Sequence, residues 1–398
     1  MRPEAKGGST SRPFSWALLR AAAIGALVCA GHATAKAADA SAPARASAGT
    51  TATLAGAGAR QVELLDCASG RPIASTAIPG ELAAEPVLSP DGRALYASLR
   101  GGVLLRCSLP DLREQTHVAL DFEATALALG DGPDAVVLAG GRGVNAMSAH
   151  DPATLVELHR FRLPQPFAVA AMRDVPARRR FVVAFADLAE AWEIAYGRDA
   201  PPVLQGLVHD YRSNEAVPLP GRFTPRRFEL PGATRALIAG PAPYEVARID
   251  RTGALGIVNL DVRREIERPA IAAAPLAARV IPWRGDARRG WLIAGPGARH
   301  AEALETSDWR VSARIEAGGE ILALAPADGR VLMAVAGADG TGVLRVDVAR
   351  RIAEPLASGI AATALPLRFV PGSGGCLALV DRDRRWLAGF PVPVPPVR

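Results

Sequence analysis

Apolar residues along this chain come in short runs, many alternating with polar positions, and Gly, Pro, Asp and Ser punctuate the gaps. The three-and-four spacing of an amphipathic helix is scarce. Short alternating runs bounded by turn residues predict β-strands. The runs recur in a fixed order, with units beginning near Val87, Ala126, Ala170, Phe228, Val280, Leu322 and Leu367. In each unit a strand leads into a turn such as Pro90-Asp91-Gly92 or Ala327-Asp328-Gly329. A second apolar strand, a Gly-rich turn, a third strand and a more polar fourth strand follow. Four short antiparallel strands repeated roughly every 40–60 residues are the pattern of a propeller blade. A half-unit, Arg60–Ile78, can supply outer strands to a blade completed from the C-terminus, which would hide the ring's edges. The pattern therefore predicts an all-β chain. It would be a single β-propeller, eight blades favoured and seven possible, closed between N- and C-terminal strands. A sandwich or two smaller β domains is the competing architecture.

The first forty residues follow a different rule. Arg2, Lys6, Arg12 and Arg20 precede an apolar stretch, Ala21–Gly31, and small residues follow it before Lys36 and Ala38. That order predicts a cleaved secretory signal over 1–37. The apolar stretch is too short for a spanning helix. Val28 before Cys29 speaks against lipidation. The Ala-, Gly- and Ser-rich segment 38–59 reads as a disordered linker, and 60–398 as the propeller. The expected location is the periplasm, with no integral membrane segment.

Removing the leader changes the charge. Formal charge falls from +6 to +2, because residues 1–37 carry five basic side chains and one acidic one. That gives no support to a nucleic-acid partner. Three cysteines remain, Cys67, Cys107 and Cys376, enough for one disulfide at most, with buried thiols as the default. No C-x-x-C or C-x-x-C-H occurs, so a zinc ribbon and a c-type haem are both excluded. No G-x-S-x-G, H-E-x-x-H or Gly-rich phosphate loop is present either.

Three stretches carry a resemblance: "ELLDCASGRPIASTAIPG" with "LSPDGRALYASLRGGVLLRCSL", "RRRFVVAFADLAEAWEIAY" with "PPVLQGLVHDYR", and "GALGIVNLDVRREIERPAIA". They resemble the cytochrome d1 propeller family, which includes the haem d1 domain of cytochrome cd1 nitrite reductase and periplasmic proteins that assemble or handle haem d1. The likeness spans Arg60 to about Arg385, and the middle stretch is its most specific part. It implies an eight-bladed periplasmic ring with a tetrapyrrole pocket near the axis. It does not imply nitrite reduction. Where the family places an axial His before an "F-I-V" run, this chain reads "AAMRDVPARRRFVV" and offers Met172 and Arg173. Ala83 stands near the place of another family His.

Candidate chemistry gathers between Ala189 and Leu230. His209, in "GLVHDYR", is a candidate haem ligand or proton donor. Arg212, Arg226 and Arg227 could clamp the carboxylates of a haem d1-type macrocycle, since guanidinium binds carboxylate in a planar fork. Trp192 and Tyr211 could stack on a flat ring, with inter-blade packing the competing reading for Trp192. Met172 is a weak candidate for soft axial ligation, against core packing. His117, His150, His159 and His300 read as surface or edge residues. The expectation is that the long connection from Gly206 to Arg227 covers the ring's mouth and contacts haem d1 or its precursor. The role would be carriage, assembly or accessory binding linked to denitrification, without turnover. Haem d1 assembly proteins or nitrite reductase are the expected partners. The alternatives are a haem-free protein-interaction platform and a nitrite-reductase-like enzyme with non-standard ligands.

Overall fold

Each strand of this chain is too short to bury anything alone, so the strands stack as sheets. The computed structural model describes residues 51–54, 59–113, 115–163, 165–205, 217–271, 279–285, 287–327, 329–361, 366–372, 376–380, 383 and 385–391. Among these the helical content is confined to 3-10 turns, such as Pro176–Arg178. The strands form layers 1 to 8, spanning 51–77, 87–119, 124–161, 167–229, 234–267, 280–316, 321–360 and 368–391. Layers 2 to 7 each contain an antiparallel four-stranded path, and layers 1 and 8 contribute three strands each. Layers 3 and 4 share hydrogen bonds at Phe167↔Gly143 and Ala168↔Arg142. Layers 8 and 1 join at Ala52↔Gly372. The first strands of layers 2 to 8 touch in succession. The fold is an all-β propeller.

The core explains why the apolar runs look blurred. Eight hydrophobic clusters occur among the described residues, each holding one layer to the next and the last returning from layer 8 to layer 1. Inner strands are therefore covered on both faces. In Ala94–Leu99 every residue is buried. Leu95, Ala97 and Leu99 face layer 1, whereas Ala94 and Tyr96 face layer 3. A strand buried on both sides reads as a continuous apolar run, as strands of doubly covered sheets do. The outermost, fourth strands are more exposed, and Gln115–Ala119 among them alternates. Gly92 takes φ +68° in the Ser89–Arg93 turn, where a side chain would be strained.

Two boundary expectations need correction. Thr51–Leu54, assigned to the linker, is a strand paired with Gln61–Asp66 and with layer 8. Its Thr-Ala-Thr-Leu alternation is strand-like, and a low-complexity flank hid it. The N-terminal strands join the C-terminal ones in one hydrogen-bonded sheet, as the expected closure requires, but through Thr51–Leu54 and Arg368–Gly372 rather than at an outer edge. Val62 and Leu64 pack on layer 2, while Leu65 and Cys67 pack on layer 8. These strands form a packing layer of their own, because Val62 and Leu64 supply apolar contacts on one face and Leu65 and Cys67 on the other. Counted by packing layers the ring has eight. Hydrogen bonds also join layers 8 and 1, and layers 3 and 4, into continuous sheets among the described residues. Cys67 and Cys376 form a disulfide across this junction, in place of two free thiols. The leader, 1–37, lies outside the described residues. Among the described residues no helix is long and apolar enough to cross a membrane.

Candidate functional site

The first strand of layer 4, Phe167–Val175, determines what reaches the centre. Its register against Arg180–Phe185 shifts between Val169 and Ala171, leaving Ala170 as the extra residue of a bulge. The bulge changes the phase of alternation. Val169 and Met172 turn toward layer 3, whereas Ala171 and Val175 turn toward layer 5. Arg173 goes with the second set. Its Nε donates to the carbonyl of Leu237, on the first strand of layer 5, at 2.9 Å. Arg173 is accessible to water yet hemmed in by these strands, so desolvation lowers its pKa, while Glu85 opposes the shift. Glu85, just before the first strand of layer 2, is ion-paired with Arg368 of layer 8. Two guanidinium groups and one carboxylate from three non-adjacent layers thus form one electrostatic group around the axis, with an excess of one positive charge.

Asp174 points the other way, toward layer 3. It shares a hydrogen bond with Tyr196, whose hydroxyl also accepts the amide of Asp131 at 3.1 Å. Burial raises the Asp174 carboxyl to about 7. Its Oδ1 has no partner. Arg173 was visible in the sequence only as what replaces a His. Asp174, Glu85 and Arg368 were missed, and the available signal was an adjacent Arg-Asp pair within the apolar run "FAVAAMRDV".

Most of the earlier candidates lie elsewhere. Met172 is buried, and a Cβ on Gly140 would stand 2.1 Å from its methyl group, so it fills the layer 3–4 interface. Trp192 is buried, edge-on to Phe185 at 5.1 Å, and donates Nε1–H to Glu190 at 3.1 Å. Arg227 lies 4.5 Å over the Trp192 ring from the neighbouring fourth strand, so that ring is occupied by packing. Arg227→Ala is expected to cost about 1 kcal/mol by urea denaturation, the scale of an exposed cation–π contact. Arg226 is opposite Glu193 on the same outer strand. His209, Tyr211 and Arg212 lie outside the described residues.

The insertion arises between the third and fourth strands of layer 4, at its outer edge. Val203–Gln205 pairs with Val217–Leu219. Phe223 stacks on His159 of layer 3's fourth strand, with centroids 5.2 Å apart. The insertion's base therefore sits on the rim, because fourth strands are outermost, and its described part does not approach the mouth. His150 corrects another expectation. It is 1% exposed, its Nδ1–H donates to Leu155 O at 3.0 Å, and its Nε2 is 2.8 Å from Ser148 Oγ. Burial lowers its pKa, favouring the neutral imidazole. Among the described residues no group of three His, Cys, Asp or Glu side chains is arranged to hold a metal ion.

No protein-family model matches the chain. A curated relative, dihydro-heme d1 dehydrogenase of Pseudomonas aeruginosa, is 24% identical over 266 residues, 64% of this chain and 48% of that protein. The chain thus matches about half the length of this relative. The solved dihydro-heme d1 dehydrogenase NirN, in complex with DHE, superposes with a TM-score of 0.63 at 19% identity, covering 86% of this chain and 73% of that one. The likeness shows the propeller fold. A computationally designed protein, Ika8, shares the fold with a TM-score of 0.56 at 14% identity, over 86% of this chain and 96% of its own.

The inner strands meet one half of what a haem d1-type group requires. Arg173 and Arg368 offer guanidinium donors suited to peripheral carboxylates. Iron is a different matter. The bulged strand presents Arg173 where the family resemblance places an axial His, and Met172 is turned into the core. The described residues fit the carboxylated rim of such a group and not its iron.

Proposed function

We propose that this propeller binds a carboxylated tetrapyrrole of haem d1 type, or its precursor, as a periplasmic carrier, assembly or accessory protein linked to denitrification. One observation carries the reading: Arg173 is the polar group that the inner strand of layer 4 presents at the axis, in place of an axial ligand. A guanidinium that donates to no carboxylate among the described residues has N–H groups left to donate to the carboxylate of a ligand. The likeness to a dihydro-heme d1 dehydrogenase supports the ligand class. The Cys67–Cys376 disulfide supports an oxidising compartment such as the periplasm.

The test is an absorption titration of the mature protein with haem d1 and with dihydro-haem d1. Saturable binding is expected. Arg173→Gln should weaken it by about tenfold or more, the scale of one charge-assisted hydrogen bond. His209→Ala is the companion variant. If it abolishes binding and Arg173→Gln does not, the site belongs to the insertion and the axial reading fails. An absence of spectral change with either ligand would favour the haem-free interaction platform. The buried Met172 favours that second reading on one point, because it removes the nearest soft ligand from the axis.

A further inference from the structure

The outer half of layer 4 holds a second concentration of charge that the axial site does not use. Glu193, on the third strand, has a side chain with no solvent exposure. Arg178 Nε donates to its Oε1 at 3.1 Å, and Arg180 Nη1 lies 2.9 Å from Oε2. Arg263, from the turn after layer 5's third strand, places Nε 3.6 Å from the same Oε2. Arg226 stands opposite Glu193 across the strand pair. Arg178 also reaches Asp261 with Nη1, at 2.5 Å.

Four guanidinium groups therefore face two carboxylates, an excess of two positive charges. The contacts are also incomplete. Arg263 Nε and Glu193 Oε2 are buried, and neither has an aligned hydrogen-bond partner. Arg226 has no ion-pair partner among the described residues. Burial and then its arginine neighbours, Arg180 and Arg263 first, lower its pKa. A purely structural network would saturate a buried carboxylate and spread its cations apart, because unpaired buried charge is costly. Here like charges are held together at a half-buried rim, an arrangement that a bound anion would stabilise.

We propose that Arg178, Arg180, Arg226 and Arg263 form a site for a phosphate-class dianion at the rim between layers 4 and 5, separate from the axial site. Two excess charges match a divalent tetrahedral oxyanion better than a single carboxylate. Guanidinium donors from four chain positions suit several oxygens at once. Glu193 at the base sets the four side chains and holds the affinity down.

Calorimetric titration of the mature protein with inorganic phosphate, and with acetate at matched ionic strength, tests this. Phosphate should bind with a dissociation constant near or below about 1 mM, and acetate at least about tenfold more weakly. Arg226→Gln should weaken phosphate binding about tenfold, whereas Glu193→Gln should tighten it by a similar factor, since a nearby like charge is removed. If Glu193→Gln does not fold, Arg263→Gln gives the same reading as Arg226→Gln. Phosphate binding that none of these variants changes would mean an adventitious ion only. No binding at about 10 mM phosphate would also overturn the site. Arg226→Gln should leave the tetrapyrrole titration unchanged. A parallel loss there would merge the two sites and end this proposal while sparing the first.

Discussion

Cys67→Ser, or reduction of the wild-type protein, is expected to destabilise the fold by about 5 kcal/mol, which would unfold a marginal ring at ordinary temperature. The disulfide joins residues 309 apart. Constraining so long a loop in the unfolded chain removes about as much entropy as any single cross-link can. Among the described residues one register pair, Ala52↔Gly372, links layer 1 to layer 8, and the cluster between them is small and rich in Ala and Cys. Urea denaturation with and without reductant measures the effect. Cys67→Ser, Cys376→Ser and the double variant should lose equal stability, because each removes the same bond. Cys107, buried and with its thiol pushed up to about 11, should resist alkylation in the native state. Equal midpoints for oxidised and reduced protein would refute the claim that the ring is latched here.

The fold was legible because each propeller layer depends on its own strands and turns. The Asp-Gly turns and the run–turn–run order carried it. The latch was not legible, since three cysteines permit three pairings and nothing local chooses between them. The closing strand Thr51–Leu54 was hidden by its low-complexity surroundings. Site residues were harder still. Trp192 and Arg227 read as a stacking platform and a clamp, but a cross-strand register turns them toward each other. Arg173 lay in plain view. What alternation alone misassigns is its direction, because one bulged residue, Ala170, reverses the phase after Val169.

Asp174→Asn is expected to stabilise the protein at neutral and higher pH and to make no difference near pH 4. The folded carboxyl has a pKa of about 7, well above the ordinary aspartate value of about 3.9, because burial penalises its charged form. Below the unfolded pKa both states carry the proton and the group contributes nothing to pH dependence. As pH rises from there, the unfolded chain ionises while the folded one stays protonated, so stability falls. The loss is complete once pH passes the folded pKa, and the curve then flattens. Full burial would cost about 1.4 kcal/mol for each pH unit of that window. Asp174 is only partly buried, so about 2 kcal/mol in total is the expected scale after solvent screening. Asparagine keeps the shape and can still accept from the Tyr196 hydroxyl, but it cannot ionise. Melting curves of the two proteins should coincide near pH 4, diverge up to about pH 7 and run parallel above it. The same titration bears on the axial site. Asp174 is the residue next to Arg173, and while it is neutral it leaves that cation uncompensated. Its ionisation should weaken capture of an anionic ligand above pH 7, an effect that Asp174→Asn abolishes. Binding that is flat across this range in the wild type, or a pH dependence that survives in the variant, would separate Asp174 from the axial charge.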